Sequence, residues 1–327
     1  MNVLYSGYRD SNHSVFGGYD KICQYPGAKT LWDYQVPFGF IPVGVRGKRI
    51  NLFFLDIATR CLRNKYDLVH IFYGDSMLFF PYQHKRNTKI VATIHMDVTN
   101  IDTKISYIKS LRSLDGVVVL SSSQEKYLKT TYDIKAKFIP HGFITPDYKQ
   151  TLLKSKQLSC FNKNNINIFY SGTNYRDFPM FCEIVNHCKD NPNFVFHAVG
   201  QSRQNKSMLQ NNENVICYDR LCNDDYFSLL SECDWNFLPL TFATANNTLL
   251  EASFLGIRSI LPLISGINDY AAPEPLNKFY SCKDELVQIF SNLCKSSKSD
   301  EIIQYSKKYE WDSVFTQLEK YYQEICS

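Results

Sequence analysis

Short apolar segments alternate with helical segments along the first half of this chain, and this alternation constrains the fold more than any other feature. The apolar runs that predict strands are NVLYSG (2–7), LVHIFYG (68–74), KIVATIH (89–95), GVVVLSS (116–122) and KFIPHG (137–142). Segments with helical character lie at 51–64, 103–114 and 123–131. Because apolar strands separated by helices build parallel sheets covered on both faces, the pattern predicts a doubly wound α/β domain.

The same alternation starts again after a polar, lysine-rich stretch at 143–164, which is a candidate linker. Strand-like runs then lie at 166–172, 193–200, 214–221, 235–240 and 259–263, and helical segments separate several of them. We therefore expect an N-terminal domain over 1–150 and a second Rossmann-like domain over 151–305, facing each other across a cleft. Ligands of such sheets bind beyond the carboxyl ends of the strands, so the turns that follow the strands are the places to search.

Charge is distributed unevenly between the two halves. Residues 1–150 carry 20 Lys and Arg against 12 Asp and Glu, whereas the remainder carries 16 against 20. The basic half suggests anionic ligands or a membrane surface, and its basic residues at 46–65 and 104–114 could hold a lipid-linked acceptor; core helices with solvated charges explain them equally well. Nucleic-acid proteins show a denser basic stripe, so no nucleic-acid partner is expected.

The cysteines and the N-terminus point to a reduced, cytoplasmic protein. The 11 cysteines are scattered without a C-x-x-C pair, so no metal site is expected from them. No run reaches the roughly 20 apolar residues that span a bilayer. The first residues lack the features of a signal peptide and are predicted to enter a β-strand.

The segment ATANNTLLEASFLGIRSIL (243–261) has the strongest functional signal. Asn246, Asn247 and Thr248 can cap a helix, and the free N–H groups at its start suit a phosphate. Glu251, one turn later, could accept hydrogen bonds from sugar hydroxyls. This order suggests a nucleotide-sugar site, although a capped core helix in any α/β protein would look the same.

Seven further segments lie elsewhere in the chain, in this order: GGYDKI (17–22), DLVHIFYGD (67–75), VATIHMD (91–97), DGVVVLSSSQEKYLK (115–129), IPHGF (139–143), FYSGTNYRDF (169–178) and the tail around Trp311. Together with 245–261, this order resembles that of the retaining GT-B glycosyltransferases, in particular the family-four group. The resemblance implies the two-domain GT-B fold, with residues 306–327 forming a helix that packs back on the N-terminal domain.

The resemblance also implies roles for individual residues. His95, Arg176 and Glu251 are the catalytic candidates: His95 would contact the transferred sugar or support the transition state, Arg176 would stabilise the leaving diphosphate, and Glu251 would hold the nucleotide ribose. The candidate donor-binding residues are Gly17, Gly18, Gly172, Asn246, Asn247, Thr248, Tyr218 and Leu221, with the nucleobase against the backbone of the last two. Asp97 and Tyr19 are candidate acceptor contacts, and the glycines at 17 and 18 are expected to allow close approach and positive φ.

Two positions depart from the family pattern. Ala243 stands where the family has a first glutamate that touches the transferred sugar, so the identity of that sugar is open. Thr173 stands where an arginine is common, which leaves Arg176 as the basic candidate of that loop. We interpret Ala243 as variation within the family.

The resulting prediction is an enzyme that transfers a sugar from a nucleotide-diphosphate sugar to a saccharide or lipid-linked glycan, with retention and without a metal or other cofactor. Bacterial surface polysaccharide synthesis, at the inner face of the plasma membrane, is the context that the family suggests. The alternatives are another GT-B enzyme, such as a nucleotide-sugar epimerase or a transferase with a different donor type, and a binding protein made silent by Ala243. A dinucleotide oxidoreductase is disfavoured because no G-x-G-x-x-G follows a strand.

Overall fold

The computed structural model describes residues 1–9, 16–36, 45–83, 87–97, 105–144 and 164–327, and for 45–49 and 105–106 it describes the backbone alone. In chain order the strands are β1 Val3–Gly7, β2 Lys29–Trp32, β3 Leu68–Ile71, β4 Lys89–Ile94, β5 Gly116–Val119, β6 Ala136–Phe138, β7 Ile166–Ser171, β8 Phe194–Val199, β9 Val215–Tyr218, β10 Trp235–Phe237, β11 Arg258–Pro262 and β12 Lys278–Tyr280.

The helices are α1 Val45–Leu62, α2 Gly74–Met77, α3 Ile105–Arg112, α4 Ser122–Tyr132, α5 Phe178–His187, α6 Arg203–Leu209, α7 Asn223–Glu232, α8 Asn247–Phe254, α9 Ser265–Asn268, α10 Lys283–Ser291, α11 Asp300–Ser306 and α12 Trp311–Cys326. Short 3-10 turns add Tyr19–Gln24, Asp33–Gln35, Arg63–Lys65 and Lys307–Tyr309. Contacts divide the chain into a first unit, 1–143 with 309–327, and a second unit, 144–308. The predicted linker falls largely on residues 145–163, outside the described part.

The first unit is built on a parallel sheet in the order β2-β1-β3-β4-β5-β6. β3 and β5 are buried at every position, as expected for strands covered on both faces. The C-terminal helix α12 packs within this unit: Tyr322 contacts Tyr5 through their hydroxyls at 2.9 Å, and the Tyr321 hydroxyl donates to the Val117 carbonyl at 3.4 Å.

The second unit has a parallel sheet in the order β12-β11-β10-β7-β8-β9. Its core is rich in aromatic residues, with Tyr170 stacked on Phe181 at a centroid distance of 3.8 Å and Phe196, Phe237 and Phe290 packed beside them. The prediction of two doubly wound parallel α/β halves is therefore confirmed.

The helix predicted over 306–327 is interrupted near its start. The chain forms α11, a 3-10 turn at 307–309 and then α12, and Glu310 between them is extended at φ −62° and ψ 143°. Glu310 forms a parallel bridge with Phe143, whose amide donates to the Tyr309 carbonyl at 2.8 Å. Backbone pairing at this crossing point interrupts a periodicity that otherwise continues through it.

Candidate functional site

The candidate phosphate and sugar residues of the second unit meet at one edge of its sheet. β7 and β10 are parallel neighbours, so the loops that follow them emerge at the same edge. The loop after β7 carries Gly172 and Arg176, and the loop after β10 leads into α8 with Thr248 and Glu251. The structure thus brings Arg176 and Thr248 together, with the guanidinium Nη2 at 3.4 Å from the threonine hydroxyl.

The loop that carries Arg176 is shaped by two residues in the left-handed region. Gly172 has φ +83°, and a Cβ there would lie 3.0 Å from Arg176 Nη2. Tyr175 has φ +55° although it is not glycine, and its side chain is 51% exposed. The backbone is held in place by Leu240, which forms an antiparallel bridge with Arg176, and by Thr241, whose amide donates to the Tyr175 carbonyl at 3.0 Å.

Arg176 is anchored within this loop. Its Nε donates to the Ser171 carbonyl at 2.8 Å and its Nη1 to the Asn174 carbonyl at 3.2 Å. Burial lowers the pKa of the guanidinium, while Tyr170, Tyr226 and Glu251 oppose that shift; the group stays cationic at working pH. A half-buried, fixed cation of this kind can bind an anion without first losing side-chain freedom.

Helix α8 begins beside this cation. Asn246 caps it by accepting a hydrogen bond from the Leu249 amide at 3.1 Å, as the sequence predicts. Asn247 and Thr248 occupy the first turn, where backbone N–H groups and the helix dipole favour negative charge. The helix start and Arg176 together supply positive potential to one place.

Glu251 lies one turn further in and is only 4% exposed. Its Oε2 accepts a hydrogen bond from the Tyr226 hydroxyl at 2.8 Å, and Tyr226 in turn lies 3.3 Å from the Ser171 hydroxyl. Sequence reasoning missed both Tyr226 and Ser171. Ser171 could have been found as the last residue of a strand ending at the site, whereas the sequence of α7 holds no signal for Tyr226.

Tyr218 is the last residue of β9 and Leu221 lies in the loop after it, at the far side of β8 from β7. The Tyr218 hydroxyl donates to His197 Nδ1 at 2.9 Å, because His197 Nε2 must donate to Asn167 Oδ1 at 3.0 Å. The Tyr218 carbonyl accepts from the Gly200 amide at 3.2 Å, and Leu221 is half-exposed. This backbone is thus tied to the turn after β8.

Buried histidines in both units predict a loss of stability in mild acid. Burial lowers the pKa of His197 to about 4 and, with His95 as a lesser cause, that of His70 to about 3. The unfolded chain takes up these protons below about pH 6.5 while the folded protein does not, so stability present above that pH is lost as the pH falls toward the folded pKa values.

We expect the free energy of unfolding to fall by about 1 kcal/mol per pH unit for each of these histidines between pH 6.5 and 5. Urea unfolding at each pH measures it, and His197→Gln should make the decline shallower by one histidine's share. An unchanged slope in that variant would contradict the assignment.

In the first unit, His95 follows β4 and is held by a carboxylate from the neighbouring strand end. The Asp75 carboxylate accepts from the amides of His95, at 2.9 and 3.0 Å, and of Met96, at 3.1 Å. His95 Nε2 lies 2.8 Å from the Phe72 carbonyl, which can only accept, so Nε2 carries the proton and Nδ1 is the acceptor nitrogen of the neutral ring. Asp75 ends a motif already singled out, yet the sequence did not identify its role.

Tyr19 packs against the turn that contains His95. Its ring meets His95 edge-on at a centroid distance of 4.6 Å, its hydroxyl lies 3.1 Å from that of Thr93, and its side chain is fully buried. These contacts are packing contacts, and the acceptor contact of Tyr19 stays a prediction. Asp97 is half-buried, where the described segment ends.

The expectation of positive φ at the Gly17–Gly18 turn is wrong. Gly18 has φ −75° and precedes the 3-10 turn at 19–24. Within the described residues, the left-handed glycines are Gly27, Gly172, Gly200 and Gly256. Gly17 and Gly18 are both buried.

A cavity of about 760 Å³ in the second unit lies at the opposite, amino-terminal edge of the sheet, where Trp235, Arg258 and Lys278 begin β10, β11 and β12. None of the site residues around Arg176 or around His95 lines this cavity. In the described part of the chain, no group of three His, Cys, Asp or Glu side chains is arranged to hold a metal ion. Over the same residues, no helix is long and apolar enough to cross a membrane.

Residues 15–145 match the family model described as Glycosyltransferase Family 4. No curated protein matches the sequence. Among solved structures, sucrose-phosphate synthase from Thermosynechococcus elongatus is similar with a TM-score of 0.69 at 15% identity, over 99% of this chain and 88% of that one.

Anabaena HepE in complex with UDP-glucose gives a TM-score of 0.68 at 14% identity, over 99% and 100% of the two chains. A glycosyltransferase from Rickettsia africae gives 0.67 at 12% identity, over 99% and 98%. At these identities the likeness establishes the fold, and the predicted GT-B fold class is confirmed.

Proposed function

We propose that this chain, which has the GT-B fold and whose residues 15–145 match the Glycosyltransferase Family 4 model, is a glycosyltransferase that moves a sugar from a nucleotide-diphosphate sugar to a saccharide or lipid-linked glycan. The observation that carries the proposal is the joining of a fixed cation, a helix start and a buried carboxylate at one sheet edge, through Arg176, Thr248 and Glu251. The fixed cation and the helix start suit a diphosphate, and the buried carboxylate suits the two hydroxyls of a ribose.

The similar HepE structures hold UDP and UDP-glucose, which supports a nucleoside diphosphate as the leaving group here. The end of β9 at Tyr218 and the loop that follows it, with Leu221, are our candidate for the nucleobase contact. Gly172 would allow the backbone to approach the phosphates, and Gly17, Gly18 and Asn247 are proposed to contact the donor as well.

In the proposed reaction, the bond between the anomeric carbon and the diphosphate oxygen breaks, and an acceptor hydroxyl oxygen bonds to the same carbon. Negative charge accumulates on the departing diphosphate, where Arg176 and the start of α8 stabilise it without a metal. The acceptor proton passes to a leaving diphosphate oxygen on the same face of the sugar, which retains the anomeric configuration. His95 would contact the transferred sugar, and Asp97 would orient the acceptor.

Membrane contact through the basic segment 46–65 finds less support. Arg60 is paired with Asp56 at 3.0 Å and also donates to the Phe80 and Pro81 carbonyls, while Arg63 is only 6% exposed. These two arginines belong to the packing of the first unit. Sedimentation with anionic vesicles tests the remaining proposal of peripheral attachment for a lipid-linked glycan acceptor in surface polysaccharide synthesis.

The first experiment is a thermal-shift panel of UDP, GDP, ADP and their sugars on the wild type and on Glu251→Ala. A ligand at a hundred times its dissociation constant adds about 2.7 kcal/mol of stability. We expect one base class to stabilise the wild type and to lose that effect in the variant. No response to any nucleotide would overturn the site assignment.

The second experiment follows the reaction with the donor found in that panel. Slow donor hydrolysis without acceptor, and faster turnover with a glycan acceptor, are expected. The anomeric configuration of the product, measured by NMR, decides between retention and inversion. Activity that persists in EDTA is expected from a site that uses Arg176 in place of a metal.

A further inference from the structure

We propose that Tyr226 is a positioning residue for Glu251, holding its carboxylate so that it can bind the ribose hydroxyls of the donor. The proposal rests on the proposed function, in which Glu251 binds the ribose hydroxyls. Tyr226 comes from α7 and Glu251 from α8, so the contact joins two elements that are separate in sequence.

The direction of the hydrogen bond follows from chemistry. An ionised carboxylate only accepts, so the Tyr226 hydroxyl is the donor in its 2.8 Å contact with Glu251 Oε2. Burial first, and the charge of Glu251 second, raise the pKa of Tyr226 well above its usual value, so the phenol keeps its proton. A hydrogen bond to an ionised acceptor is also stronger than one between neutral groups.

The hydroxyls of Thr248, Ser171 and Tyr226 form a row of contacts between Arg176 and Glu251, and its Arg176 end is fixed as well. Arg176 can only donate, to Thr248 at 3.4 Å; Thr248 lies 3.2 Å from Ser171, and Ser171 lies 3.3 Å from Tyr226. With a donor at one end and an acceptor at the other, each hydroxyl has its proton directed toward Glu251. These three contacts are longer than usual hydroxyl bonds, so the short Tyr226–Glu251 contact does most of the orienting.

Packing holds the phenol ring independently of its hydroxyl. The ring meets Phe169, which is fully buried, edge-on at 5.3 Å, and meets Phe227 in the same manner at 5.3 Å. A phenylalanine at 226 would keep these ring contacts and remove the donor to Glu251, together with the longer contact to Ser171. Tyr226→Phe therefore tests the hydroxyl without disturbing the packing of the ring.

Tyr170→Phe is the matched control. Tyr170 precedes Ser171 on β7, its ring stacks on Phe181 at 3.8 Å, and its buried hydroxyl has no hydrogen-bond partner among the described residues. This variant deletes a phenol oxygen from the same unit without removing a hydrogen bond. We expect it to bind nucleotides as the wild type does.

The test measures, by calorimetry, the affinities of UDP, GDP and ADP and of their 2′,3′-dideoxy forms. For the nucleotide that binds, we expect the wild type to prefer the ribose form. That preference should fall about tenfold in Tyr226→Phe and at least as far in Glu251→Gln, and it should be kept in Tyr170→Phe. Turnover should show a higher donor KM with little change in kcat, because Tyr226 does not touch the reacting atoms.

The outcomes separate the two proposals. If Glu251→Gln loses the preference and Tyr226→Phe keeps it, the ribose role of Glu251 stands and the positioning role of Tyr226 is wrong. If neither variant changes the preference, Glu251 does not read the ribose, and both proposals fail. Loss of the preference in Tyr170→Phe as well would show a general disturbance of the unit and would overturn the specific role of Tyr226.

Discussion

Arg176→Ala is expected to weaken the binding of a nucleoside diphosphate by roughly 30- to 150-fold, the range that corresponds to about 2–3 kcal/mol for hydrogen bonds to a charged group. The guanidinium already lies in place through its bonds to the Ser171 and Asn174 carbonyls, so a bound phosphate gains a preorganised partner. Calorimetry with UDP, GDP and ADP measures the loss.

Three comparisons make this result specific. Arg176→Lys keeps the charge but loses the planar fork and should fall between the wild type and the alanine variant. Arg203→Ala removes an exposed arginine of the same unit and should change nothing. The uncharged nucleoside should bind the wild type and Arg176→Ala alike, whereas an equal loss for nucleoside and diphosphate would show that Arg176 supports the loop and does not bind phosphate.

The sequence predicted most strands because their apolar runs are continuous, as in β4 and β7, which are buried over nearly their whole length. It did not predict β2 and β12. Both are short strands at the edge of a sheet, and β2 has no buried residue. Where one side of a strand lacks a neighbour, solvent admits polar residues and the apolar signal weakens.

The candidate site was predictable to the extent that topology alone decides it. Residues that follow parallel strands meet at one edge, so Arg176 and Thr248 could be expected together from sequence. Asp75 and Tyr226 could not be foreseen, because their partners are a backbone turn 20 residues away and a carboxylate 25 residues away. Such pairs depend on how a helix or loop packs on the sheet, and no periodicity records that.

Gly266→Ala is expected to disrupt the loop that precedes α8 and to destabilise the second unit by about 3 kcal/mol. A methyl group at Gly266 would overlap the carbonyl oxygen of Ala243 and come within 3.1 Å of that of Thr244. Both obstacles are backbone atoms, which cannot rotate away as a side chain would. The loop must move, and with it the start of α8, where Asn246 caps the helix and Thr248 faces Arg176.

Urea unfolding gives the stability, and calorimetry at a temperature where the variant stays folded gives nucleotide affinity, which should fall at least tenfold because the helix start has shifted. Gly27→Ala is the control. Its φ is +77°, and apart from the adjacent residues no atom of the described part of the chain lies within 4 Å of the added carbon, so this change should cost about 1 kcal/mol and leave binding intact. If the Gly266→Ala protein is as stable as the wild type, the loop at Ala243 can move away from the added methyl group at no energetic cost. The close approach of Gly266 to Ala243 would then not be what holds the start of α8 beside Arg176.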